Sequence, residues 1–183
     1  MPVPQHSMID FSRNHFELFG LPERFRFDPA VLDRAYHELQ GEVHPDRYAA
    51  AGDTEQRLAL QSSARVNEAY SALKDPVARA QYLLSLHGVE AFGETDTSLP
   101  FEFLERQLER REAAAAASAA GDAQALGTLL EEVRAEARQL EQQLGALLDV
   151  EAAWEAARAR VRELRFLSKL AGDLDAMLST LED

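Results

Sequence analysis

The sequence predicts an all-α chain made of two helical units, four short helices followed by an antiparallel three-helix bundle. Three observations carry that expectation. Apolar residues recur at three- and four-residue spacing over long stretches, the period of an amphipathic helix, and no β signal stands out. Glycine and proline concentrate before residue 101, and no proline follows Pro100. Charge divides at the same place: residues 1–88 carry 9 basic and 12 acidic side chains (−3), whereas 89–183 carry 10 and 20 (−10).

Each element has its own start and stop signals. Ser12 can cap a first helix carrying Phe16 and Phe19, ended by Gly20 and Pro22. Asp28-Pro29 starts the second, because aspartate caps and proline at the first helical position gives up no hydrogen bond. Val31, Ala35, Leu39 and Val43 share one face of it, and Pro45 stops it. Beyond a polar loop with Gly52-Asp53-Thr54, a third helix lines up Leu58, Ser62, Val66, Ala69, Tyr70 and Leu73. Asp75-Pro76 breaks it and opens a fourth, with Ala80, Tyr82, Leu83 and Leu86 before Gly88.

Residues 89–100 cluster punctuating residues without helical period and read as a linker between a unit at 12–88 and a bundle at 101–183. Phe101 to Ala120 forms the first bundle helix, with Leu104, Leu108 and an alanine run that favours helix; Gly121-Asp122 ends it and caps the next. The second helix carries Leu126, Leu129, Leu130, Val133, Ala137, Leu140, Leu144, Leu147 and Leu148. The third carries Trp154, Ala157, Val161, Leu164, Ala171, Leu174, Leu178 and Leu181. Short connections between long helices predict antiparallel neighbours.

Composition narrows the function. Nineteen Lys+Arg against 32 Asp+Glu give a net charge of −13, which argues against a nucleic-acid or anionic-membrane binder. No cysteine means no thiolate metal site and no cysteine nucleophile. The opening residues lack the pattern of a signal peptide and no apolar stretch is long enough to span a membrane, so a cytoplasmic protein is expected. No phosphate-binding loop, dinucleotide fingerprint or nucleophile elbow appears, and the five histidines show no metal-site spacing, so neither a cofactor nor an enzymatic activity of its own is expected. His6, His15, His37 and His87 read as solvated or capping, and the cluster Arg158 to Arg165 as a solvated helix face.

One motif carries function. His44-Pro45-Asp46 stands where the second helix gives way to a polar loop; upstream lie a short aromatic helix and an amphipathic one, and downstream Val66-Asn67-Glu68-Ala69-Tyr70-Ser71-Ala72-Leu73 and Asp75-Pro76. This order resembles the J-domain, the four-helix module that docks on DnaK-class chaperones and stimulates their ATPase. Phe16-Glu17-Leu18-Phe19-Gly20-Leu21-Pro22 with Phe27-Asp28, the stretch Arg79 to Gly88, and Leu164-Arg165-Phe166-Leu167-Ser168-Lys169-Leu170 further resemble the HscB family of J-proteins in iron–sulfur cluster assembly. The resemblance spans essentially the whole chain. It implies a J-domain joined to a C-terminal three-helix domain that binds an IscU-like cluster scaffold and delivers it to an HscA or DnaK chaperone, the protein itself being a monomer or weak dimer.

That resemblance assigns His44, Pro45 and Asp46, with Arg34 and Arg47, to the chaperone, and Leu104, Leu108, Glu109, Glu112 and Phe166 to the client. The chain departs from the family in two places. The family's second helix is usually rich in Lys/Arg, whereas here it has Arg34, His37, Glu38, Gln40, Gly41 and Glu42; Arg47, Arg57 and Arg65 can add charge nearby. Glu105 replaces a common large apolar residue of the client patch, and Ala116 a common acid. Leu104, Leu108 and Glu112 fall at four-residue spacing on one helical stripe, which fits either an exposed binding patch or the bundle core. A coiled-coil adaptor, or a general J-protein with another client, is the alternative function.

Overall fold

The computed structural model describes residues 9–93 and 99–182, so the opening stretch with His6 and residues 94–98 of the expected linker lie outside the described residues. The described residues form seven α-helices and one 3-10 turn, with no strand among them, in the expected order of four helices and then three. None of these helices is long and apolar enough to cross a membrane. The chain divides into two compact units, Met1–Tyr82 and Leu83–Asp183.

In the first unit, α1 (His15–Leu18) is a single turn. Its cap is Asn14 rather than Ser12: the Asn14 side chain accepts from the Glu17 amide while Glu17 reaches back to the Asn14 amide. Ser12 instead donates its amide and hydroxyl to Asp10, so a nearer residue with an acid three positions on outcompetes it. Gly20, at φ +63°, turns the chain in a conformation that a β-carbon disfavours. α2 (Pro29–Val43) begins as expected, with Asp28 accepting from the Ala30 amide at 2.9 Å and proline in the first turn.

α3 (Asp53–Lys74) packs along α2. Val43 is buried as expected and Leu32 is buried as well, whereas Val31, Ala35 and Leu39 are half-buried. A polar ladder joins α2 to α3. Tyr36 stacks on Tyr70 at 4.0 Å and donates to Asn67 at 3.0 Å, and Gln40 donates to Asn67. Asp33 accepts from Tyr70 at 3.0 Å and from Lys74 at 2.6 Å. The hydrogen bonds from Lys74 and then Tyr70 hold the Asp33 carboxyl below its ordinary value, and Asp33 in turn raises Lys74.

α4 (Pro76–Leu86) passes from one unit to the other between Tyr82 and Leu83. Within the first unit its Arg79 guanidinium lies over the rings of Phe25 at 4.7 Å and Phe27 at 4.9 Å. Tyr82 stacks on His15 at 4.0 Å. His15 is only 5% exposed, so it is a buried aromatic rather than the solvated or capping residue expected.

In the second unit, α5 (Phe101–Ala120), α6 (Ala123–Asp149) and α7 (Trp154–Glu182) all pack on one another. Gly121 at φ +67° ends α5, and Asp122 caps α6 by accepting from the Ala125 amide at 2.9 Å. Leu126, Leu130, Val133, Leu140, Leu144 and Leu148 are buried, as are Ala157, Val161, Leu164, Leu167, Leu170 and Leu174. Leu129, Ala137, Leu147, Trp154, Ala171, Leu178 and Leu181 flank this core half-buried. Arg110 pairs with Glu136 at 2.6 Å and Arg134 with Asp175 at 3.2 Å, tying α6 to both neighbours.

Candidate functional site

His44, Pro45, Asp46 and Arg47 stand together at the end of α2, in a 3-10 turn spanning Pro45–Tyr48. The residue before a proline is pushed out of the helical region, and His44 at φ −60°, ψ 129° obeys that constraint. It therefore closes α2 and caps the turn: the Asp46 amide donates to His44 Nδ1 at 3.3 Å. With Nδ1 accepting, the neutral ring keeps its proton on Nε2. Asp46 Oδ2 lies 3.7 Å from the same nitrogen. The Asp46 side chain is 90% exposed.

The turn is fastened on both sides. Arg47 Nη1 donates to the Gly41 carbonyl at 2.8 Å, and the Tyr48 hydroxyl to the Glu42 carbonyl at 3.3 Å. Both are carbonyls of the last turn of α2, where helical partners run out. From the other side, Gln56 on α3 donates to the carbonyls of Ala49 at 3.2 Å and Ala51 at 3.0 Å. An exposed acid and imidazole are thus presented on a backbone that is itself well tied. Arg34 does not join them. It is exposed on α2 ten residues before His44, about 15 Å along the helix axis.

The second set of residues lies on the bundle. α5 buries Phe103, Gln107, Ala114 and Ala117, a line of four-, seven- and three-residue steps. Leu104 and Leu108 each follow a buried residue, about 100° round the helix, and are 42% and 60% exposed. Phe101, 77% exposed, extends their stripe by one turn toward the helix start, a residue the motif reading did not assign. Glu105, Glu109, Glu112 and Ala116 are exposed as well. On α7, Phe166 is half-buried; its ring meets Phe103 edge-on at 5.7 Å and lies under the Arg111 guanidinium at 5.0 Å. Those two α5 contacts bracket Leu104 and Leu108 in sequence. α5 thus exposes Phe101, Leu104 and Leu108 along one stripe with Glu105, Glu109 and Glu112 exposed near it, while Phe166 of α7 meets the same helix at Phe103 and Arg111, chemistry suited to holding a protein surface.

Comparison with known proteins agrees with this architecture. A family model described as the HscB C-terminal oligomerisation domain matches residues 99–175. A co-chaperone protein HscB homolog of Burkholderia multivorans is 46% identical over 175 residues, covering 96% of this chain and 99% of the relative. Among solved structures, chaperone HscB from Vibrio cholerae superposes with a TM-score of 0.83 at 36% identity, over 92% of this chain and 99% of that one. The human co-chaperone protein HscB superposes with a TM-score of 0.85 at 28% identity, over 92% and 83%. With its fold, its terminal bundle and nearly its whole length matched, the chain belongs to the HscB co-chaperone family.

Proposed function

We propose that this chain is a J-domain co-chaperone acting in the cytoplasm. Its unit around residues 12–88 stimulates the ATPase of a DnaK/HscA-class chaperone, and its bundle around 101–183 carries an IscU-like iron–sulfur scaffold to that chaperone. The observation that carries this reading is the fastened His44-Pro45-Asp46 turn, which presents polar groups outward without any need for them in the core. Pro45 limits the conformations of the turn, His44 and Asp46 meet the chaperone, and Arg47 orders the turn while adding positive charge beside it. Arg34 contributes charge further along α2. On the client side, Leu104, Leu108 and Phe166 supply the apolar centre, with Glu109 and Glu112 at its edge. The protein catalyses no reaction itself and works as a monomer or weak dimer.

A steady-state ATPase assay with a DnaK/HscA-class chaperone tests the assignment. His44→Gln is expected to abolish stimulation while leaving helicity and the melting temperature nearly unchanged. Retained stimulation overturns it.

A further inference from the structure

We propose that Arg165, Lys169, Phe92 and Phe166 form a cationic, partly aromatic groove that takes an acidic segment of the client. The proposal rests on the client-face reading above and extends it to the opposite side of Phe166. A groove of about 400 Å³ opens there, lined by Phe92, Leu99, Arg162, Arg165, Phe166 and Lys169. Arg162 Nε donates to the Ala91 carbonyl at 2.8 Å, which ties the chain before Phe92 to α7. Arg165 lies over the Phe92 ring at 4.4 Å, so one wall of the groove is fixed by its own cation.

Charge selects the occupant. Residues 89–183 hold twice as many acidic as basic side chains, 20 against 10. Several arginines of the bundle meet acids: Arg110 meets Glu136, Arg134 meets Asp175, Arg158 meets Glu155 and Arg160 meets Glu163, while Arg111 lies over the Phe166 ring. Arg165 and Lys169 are exposed and have no carboxylate partner among the described residues. They stand four residues apart, one helical turn, or about 6 Å. That spacing offers charge-assisted bonds to two neighbouring carboxylates, while Phe92, Leu99 and Phe166 accept an apolar side chain between them. Phe166 lines this groove and also meets α5 at Phe103 and Arg111. Arg165 and Lys169 thus set a cationic edge beside Phe166, while Glu109 and Glu112 lie exposed on α5, and a client that matches both signs docks in one orientation.

Calorimetric titration with a purified IscU-type scaffold tests this on three variants of the full chain. Arg165→Glu/Lys169→Glu should weaken binding at least about tenfold at roughly 50 mM salt, and the deficit should shrink as salt rises and screens the charges. Arg165→Gln/Lys169→Gln should lose less, in the same direction, and both pairs should melt like the parent because the side chains are exposed. Leu104→Ala/Leu108→Ala should also weaken binding. If the leucine variant binds poorly while both charge variants bind normally, the groove is overturned and the leucine strip stands. If all variants bind like the parent, the client face fails and the groove with it. Sedimentation of the chain alone gives a further outcome: a mass that falls on charge reversal assigns the groove to a second copy and overturns the client assignment.

Discussion

His15 shows how far one side chain can depart from what its type suggests. The ring is buried against Tyr82, its backbone amide donates to the Tyr82 hydroxyl at 3.0 Å, and Nδ1 finds no hydrogen-bond partner among the described residues. Burial disfavours the imidazolium, and the nearby Arg65 charge adds to that, while Glu68 opposes it more weakly; the net effect lowers the pKa of His15. A lowered folded value means that the neutral ring's contribution is fully present above the ordinary histidine range. It is lost as pH falls from about 6.5 through the folded value, because the unfolded chain takes up the proton first. His15→Phe keeps a flat ring against Tyr82 and removes the titration. The parent's melting temperature should therefore drop more between pH 7 and pH 5 than that of the variant. Parallel pH profiles in the two proteins would show that His15 contributes nothing to the acid response.

α5 shows the same effect along a whole helix. Its sequence holds two candidate faces one residue apart, Phe103-Gln107-Ala114-Ala117 and Leu104-Leu108-Glu112, and periodicity alone does not choose between them. The structure buries the first, where small Ala114 and Ala117 allow the neighbouring helices to approach closely, and exposes the leucines. Phe103→Ala, removing a ring 3% exposed, should cost about 3–5 kcal/mol in thermal or urea unfolding. Leu108→Ala, at 60% exposure, should stay within about 0.5 kcal/mol. Comparable losses for both would mean that α5 is rotated from the position described. Helix ends, by contrast, are readable where one residue type meets a local need, as at Asp28-Pro29 and Gly121-Asp122. At α1 the sequence offers both Ser12 and Asn14, and the local signal that ranks them is the acid three positions on, Glu17 after Asn14 against His15 after Ser12. The His44-Pro45-Asp46 turn was legible as a motif. Its fastening by Arg47, Tyr48 and Gln56 depends on contacts five to seven residues apart, and the Phe166 environment on contacts between distant helices; neither has a signal in spacing.

At the scale of the molecule, charge separates two kinds of recognition. Residues 1–88 are near balance at −3, and the cations that could steer a chaperone toward α2 are few and partly engaged. Arg47 donates to Gly41, Arg57 to the Asp53 carbonyl at 3.3 Å, and Arg65 pairs with Glu68 at 3.2 Å, which leaves Arg34 as the exposed cation on α2 itself. Engagement by a backbone carbonyl leaves the charge in place but holds the guanidinium near α2 or α3, whereas Glu68 cancels much of the field of Arg65. Little Coulomb attraction is then available for salt to screen, and in the function proposed above docking rests instead on the short-range fit of the His44-Pro45-Asp46 turn. The concentration giving half-maximal ATPase stimulation should change by less than about threefold between roughly 50 and 200 mM salt, because exposed charges beyond a Debye length are already screened there. Arg34→Glu should raise that concentration modestly and make it fall as salt increases, since it converts the remaining attraction to repulsion. The bundle, within a half of the chain at −10 and with Arg165 and Lys169 exposed on α7, should show a steeper salt response toward its client than α2 does toward the chaperone. Measuring both steps in one buffer series decides the matter: a chaperone step steeper than the client step would show that Arg34, Arg47, Arg57 and Arg65 act together as a basic docking surface.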